Sequence, residues 1–80
     1  MYEIDFLGDT LDELRAFPDA ARRKLGYQLD SAQRGQHPSG ASSVPVIGAG
    51  CWEIRADVNG QWFRVIYAEI GECVYVLMAK

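Results

Sequence analysis

The dipeptide Asn59-Gly60 constrains this chain more than any other feature of its sequence. Both residues tolerate the positive φ that a type I′ turn demands at its two central positions, so the pair predicts a two-residue hairpin loop. That loop length fixes the register of the flanking strands. Val58 faces Gln61, Ala56 faces Phe63, Arg55 faces Arg64, Ile54 faces Val65 and Trp52 faces Tyr67. Successive side chains along a strand alternate between faces. One face of the hairpin therefore carries Trp52, Ile54, Ala56, Phe63, Val65 and Tyr67, and the other Glu53, Arg55, Asp57, Trp62 and Arg64. The first face is apolar and must be buried; any chemistry belongs to the second. A further turn at Gly71-Glu72 adds a third strand, with Val74, Val76 and Met78 continuing the apolar face and Tyr75, Leu77 and Ala79 the other. This third strand, Cys73 to Ala79, is predicted to be a sheet edge, which invites pairing with a second copy and a homodimer.

A chain of 80 residues makes one small domain with a thin core. No segment is long enough to span a membrane, and no basic leader precedes an apolar stretch, so the expected location is the cytoplasm. Cys51 and Cys73 are consistent with a reducing compartment. They are expected at opposite ends of non-adjacent strands, too far apart for a disulfide. One His and two distant Cys do not make a metal site, and no cofactor is expected. The net charge of −3 counts against a default nucleic-acid binder, which usually has a basic footprint.

Upstream, Tyr2 to Leu7 reads as a short strand with Ile4 and Phe6 inward, broken by Gly8. Thr10-Leu11-Asp12-Glu13 has the spacing of a capping box, in which the Thr10 hydroxyl accepts from the Glu13 amide and the Glu13 carboxylate from the Thr10 amide. Leu11, Leu14 and Phe17 form the buried stripe of this first helix. Phe17-Pro18 ends it, because proline disfavours helix in the preceding residue yet suits the first turn of a new one. A second helix is predicted from Pro18 to about Arg34, capped by a left-handed Gly35, with Ala21, Leu25, Gln28/Leu29 and Ala32 facing the core. Gly26 inside it costs about 1 kcal/mol relative to Ala, and close packing on a neighbouring element is its expected use. Gln36 to Ser43 reads as a polar surface loop in which His37, the only histidine, is solvated. Val44 to Ile47 reads as another short strand before the turn at Gly48 and Gly50.

Taken in order, Leu11-Asp12-Glu13-Leu14-Arg15-Ala16-Phe17-Pro18, Ala21-Arg22, Gly26-Tyr27-Gln28-Leu29 and Gln33-Arg34-Gly35 resemble the helical half of the HigB-like, phage-derived branch of the RelE/ParE toxin superfamily. Trp52-Glu53-Ile54-Arg55, Gly60-Gln61-Trp62-Phe63-Arg64-Val65-Ile66-Tyr67 and Val74-Tyr75-Val76-Leu77 resemble its sheet half. The resemblance implies an α+β fold, with two N-terminal helices packed on one face of a small antiparallel sheet. It implies a single toxin domain over 1–80 and a type II toxin–antitoxin role. The implied partners are a helix-turn-helix antitoxin and ribosome-bound mRNA, cleaved as by an mRNA interferase. A gyrase-directed inhibitor and a non-catalytic homologue that only holds the antitoxin are the alternatives. One departure stands out. Members of the family continue past the last strand with a His, an aromatic and a basic tail, whereas Met78 and Lys80 stand at the first two of those positions. The domain is therefore expected to be shortened at its C-terminus.

The reaction implied by the resemblance is attack of a 2′-hydroxyl on its neighbouring phosphate, whose growing negative charge needs preorganised cations. Arginine meets phosphate oxygens with two parallel bonds and keeps its charge. Arg64 and Arg55 match the family's arginines. Their repulsion across the hairpin is relieved by a bound phosphate, or by an Arg/Glu lattice with Glu53 and Asp57 that merely solvates the face. A proton acceptor is harder to find. Glu53 has the right chemistry, but neighbouring arginines stabilise its charged form and make it a weak acceptor. A phenol such as Tyr75 is a poor base near neutral pH. The expected catalytic set is Arg64, Arg55 and Glu53; the expected RNA-binding set is Arg64, Arg55, Tyr75 and Lys80.

Overall fold

A computed structural model describes residues 1–37 and 40–80. The elements run β1 (Glu3–Phe6), α1 (Thr10–Arg15), α2 (Asp19–Gln33), β2 (Ser42–Ser43), β3 (Cys51–Val58), β4 (Gln61–Ile70) and β5 (Cys73–Ala79). The strands form one five-stranded sheet in the order β1-β5-β4-β3-β2, and both helices lie on one face of it.

The hairpin forms as its turn dictates. Asn59 and Gly60 have φ of 54° and 83°, and all five predicted pairs between β3 and β4 occur. The apolar face is the core: Ile54, Ala56, Phe63, Val65, Tyr67, Val74 and Val76 pack against Leu14, Ala21, Leu25, Leu29 and Ala32. Phe17 closes one end, its ring 4.9 Å from that of Phe63. The α2 stripe is the one its spacing predicts, and the helix ends as expected. Gly35 adopts φ 78°, its amide donates to the Ala32 carbonyl and the Gln36 amide to that of Ser31, the paired bonds of a Schellman cap.

Several expectations fail, each for an identifiable reason. The cap of α1 is Asp9, not Thr10, and no side chain bonds to an amide there. A turn in which the Thr10 amide donates to the Leu7 carbonyl starts the helix one residue early, so Thr10 points inward and its hydroxyl is buried without a partner. Gly26 packs on nothing: a Cβ there would meet no atom within 4 Å. The strand sought at Val44–Ile47 is instead the two-residue β2 at Ser42–Ser43; Ile47 bonds back to Val44 in a turn. Part of the supposed loop is thus strand, and Pro38 and Ser39 lie outside the described residues. His37 is stacked on Trp52 with ring centroids 4.0 Å apart, so it is only partly solvated. The two cysteines are free thiols at the same end of the sheet, not opposite ends, with β4 between their strands.

The largest correction concerns β5. It is not an edge, because β1 runs parallel to it and pairs from Glu3↔Cys73 to Phe6↔Val76. The sheet is therefore mixed rather than purely antiparallel, and the route to a homodimer through β5 is closed by the chain's own first strand. The face assignment of β5 also changes midway. Tyr67 pairs with Val76 but Ile66 with Met78, which leaves Leu77 as an extra residue, a β-bulge. Beyond it the alternation is inverted: Ala79 is buried and Met78 is 44% exposed.

Candidate functional site

Three cations lie in one row across the open face of the sheet. The hairpin register sets Arg55 beside Arg64. Arg64 and Lys80 then exchange backbone hydrogen bonds of 2.8 and 2.9 Å, which places Lys80 on the other side of Arg64. Adjacent strands are about 4.8 Å apart, so the row spans about 10 Å at the backbone. Lys80 reaches this face only because of the bulge at Leu77. Arg64 and Lys80 have no carboxylate within salt-bridge distance among the described residues, whereas the Arg55 Nε lies 3.6 Å from the Glu53 Oε1. The Arg55 guanidinium also sits 5.5 Å from the ring centroid of Trp62, which is 55% exposed. Trp62 pairs with Asp57 at the end of β3.

The other expected site residues are elsewhere. Glu53 is on this face and partly buried, one row away beside Ile66, with its carboxylate turned to Arg55. Tyr75 pairs with Asp5 on one side and Ala68 on the other, four residues along β4 from Arg64 and thus about 13 Å from the row. Its phenol is pushed above the ordinary range by a hydrogen bond to Cys73, by the charges of Cys73, Asp5 and Glu3, and by slight desolvation. It stays protonated at neutral pH and belongs to an acidic corner. His37 is on the helix side with Trp52, its Nδ1 3.9 Å from the Glu69 Oε1. Also on that side, Tyr67 is fully buried and its phenol is pushed up to about 12 by burial and by Glu69. Of these groups Glu53 alone adjoins the arginine row; Tyr75 lies well along the sheet from it, and His37 and Tyr67 are on the other face.

Trp62 was not among the expected site residues, although its alternation placed it on the correct face. The signal lay in its pairing: an exposed Trp set beside an arginine and across from Asp57 is not part of the core. Arg55, Arg64 and Lys80 can hold the phosphates of an extended polyanion, and Trp62 offers a flat surface for an unpaired base. The surface there is open. A shallow cleft lined by Asp19, Arg22 and Arg23 lies at the start of α2, apart from this row. Among the described residues no group of three or more His, Cys, Asp or Glu side chains could hold a metal, and no helix is long and apolar enough to cross a membrane.

Comparison with known proteins agrees with the fold. The family model described as "Phage derived protein Gp49-like" matches residues 12–80. The fold is similar to the crystal structure of the isolated E. coli RelE toxin, with TM-score 0.74, 22% identity, and coverage of 99% of this chain and 82% of that one. It is also similar to a double arginine-to-alanine mutant of E. coli RelE in the free state, with TM-score 0.69 and 18% identity over 98% and 80% of the two chains. No curated protein matches the sequence. At these identities the structural likeness speaks for the fold: two helices on a small sheet, as in RelE.

Proposed function

The chain belongs to the phage-derived Gp49-like family, and from that premise we propose that it is the toxin of a type II toxin–antitoxin pair, of the HigB-like kind, acting on ribosome-bound mRNA in the cytoplasm. The observation that carries the reading is the row Arg55–Arg64–Lys80 with Trp62 at its side. A phosphodiester seated on Arg64 and Lys80 meets cations that have no carboxylate partner, so binding does not first have to break an ion pair. Arg55 is shared between Glu53 and Trp62, and it positions the aromatic ring as much as it binds phosphate. Growing charge on a cleaved phosphate is stabilised by the same fork contacts. The partner that restrains the toxin is a helix-turn-helix antitoxin.

A second reading has its own support. The carboxylates nearest the row, Glu53 and Asp57, stand to either side of Arg55 and pair with Ile66 and Trp62 rather than with Arg64; Tyr75 is about 13 Å away, and His37 is on the other face. A homologue that binds RNA or antitoxin without cleaving it fits that geometry. Induced expression in a bacterial host, with growth measured and mRNA 5′ ends mapped, separates the two. Growth arrest with new mRNA ends, both lost in Arg64→Ala, supports the nuclease. Normal growth without new ends, together with retained antitoxin binding, supports the binder. Arg64→Lys should restore little cleavage, since an ammonium cannot make the two-pronged contact.

A further inference from the structure

The two outer edges of the sheet are treated differently by the rest of the chain. On the β3 side, the Arg55 and Asp57 carbonyls accept from the Gln28 Nε2 at 3.5 Å and the Lys24 Nζ at 3.3 Å, so α2 covers that edge with its own side chains. On the β1 side the cover stops short. The amides of Glu3 and Leu7 donate inward to the Glu72 and Val76 carbonyls of the β5 side, at 3.1 and 3.0 Å. Alternation therefore turns the N–H and C=O of Ile4 and Phe6 outward. Only Tyr2 is satisfied from outside: its amide donates to the Gln33 carbonyl at 2.6 Å and its carbonyl accepts from the Gln33 Nε2 at 3.0 Å. Beyond that clamp, the outward groups of Ile4 and Phe6 have no recorded partner among the described residues.

The charged side chains along this open edge are acidic. Glu3 and Asp5 stand exposed along β1, with Asp9, Asp12, Glu13 and Glu72 exposed close by in the chain or the fold. None of the six is in an ion pair among the described residues, and the first basic residue of the chain is Arg15. We propose that the outer edge of β1 is a docking site for an extended, basic segment of a partner protein, which adds a strand beyond Ile4 and Phe6 with Lys or Arg side chains against Glu3 and Asp5. Alternation supplies the fit. Basic residues at every second position meet the two carboxylates on the open face, and the apolar residues between them extend the cover over the half-buried Ile4 and Phe6. A second copy of this chain is the wrong occupant, because β1 against β1 brings carboxylates together. A nucleic acid is repelled by the same charges. The site does not depend on the nuclease reading, since it lies across β5 and away from the arginine row.

A peptide of alternating lysine and valine is the probe, with amide hydrogen exchange read by NMR and affinity by calorimetry on the full chain. The expected result is saturable binding, with exchange at Ile4 and Phe6 slowed about tenfold or more. N-methylation of alternate peptide amides, on the docking side, should weaken binding about tenfold, the effect of one to two lost hydrogen bonds. Glu3→Lys with Asp5→Lys should lose the lysine peptide and gain one of alternating glutamate and valine; Glu3→Gln with Asp5→Asn is the milder variant should the first fail to fold. No binding at millimolar peptide overturns the proposal. So does binding that N-methylation leaves unchanged or that leaves Ile4 and Phe6 unprotected, for then the edge is only a charged surface that wards off other strands.

Discussion

Removing one oxygen atom from the core should stabilise this protein. Tyr67 is fully buried on the helix face of β4, and its hydroxyl has no hydrogen-bond partner among the described residues. An unsatisfied buried hydroxyl costs about 1–3 kcal/mol of desolvation that no bond returns. Tyr67→Phe keeps the ring and its contacts, so the variant should gain about 1 kcal/mol at neutral pH. For a domain of this size that is a rise in melting temperature of about 4–8 °C. A second signature follows from titration. The Tyr67 phenol is raised from 10.0 to about 12 in the folded chain by burial and by Glu69. The neutral form is thus favoured by folding. That contribution is complete below pH 10, the unfolded value, and is lost as pH rises from 10 to about 12. Two pH units correspond to about 2.7 kcal/mol at most, and screening by solvent around Glu69 brings this to about half. Chemical denaturation of both proteins at pH 8, 10 and 12 is the assay. The other tyrosines, the shifted Tyr75 among them, titrate in both proteins, so the difference between them isolates Tyr67. A Tyr67→Phe protein less stable than the parent at pH 8 would show that the hydroxyl is bonded and would refute the reasoning.

Three other outcomes can be checked. Gly26→Ala should raise stability by about 1 kcal/mol, because the site is an exposed helix interior with open space at the Cβ; a loss in thermal melting would mean that α2 packs there. Phe63→Ala should cost about 3–5 kcal/mol, since it removes the ring that meets Phe17 in the core, and urea denaturation with an unchanged midpoint would contradict the packing. Trp62→Ala should leave the melting temperature within about 2 °C and weaken single-stranded RNA binding by about 1–3 kcal/mol, measured by fluorescence anisotropy; equal affinity would remove Trp62 from the site.

What could be read from residues alone followed the range of the forces involved. A turn that needs positive φ at two successive positions fixes a register locally, so the β3–β4 pairing and its buried face were legible from Asn59-Gly60. The α2 stripe was legible because a fifteen-residue helix repeats its signal. Thr10 shows where local patterns fail: the capping box was present in the sequence, but a turn back to Leu7 drew the side chain into the core. The parallel partner of β5 was invisible because β1 lies some 70 residues away in sequence and nothing in either strand encodes the meeting. Within the site, Arg55 and Arg64 were singled out by the family resemblance, and the hairpin register set them side by side. Lys80 was expected as an RNA contact, but its place beside Arg64 depends on the extra residue at Leu77, which no propensity announces.

That extra residue makes the composition of the open face a matter of parity. Val74 and Val76 point inward, so in an unbroken strand Met78 and Lys80 would follow them into the core and Ala79 would face solvent. The Leu77 bulge reverses the count. Deleting Leu77 should therefore leave the face intact: Met78 would follow Val76 in unbroken alternation, with Met78 and Lys80 still outward and Ala79 still inward. What the strand cannot do is straighten with Leu77 in place, because an ammonium group would then be driven toward the apolar interior and the row beside Arg64 would lose its third charge. An alanine scan of the strand would report Leu77 as a minor packing residue and miss this role. Deletion scanning would expose it, because a strand one residue shorter needs no bulge and keeps Lys80 beside Arg64.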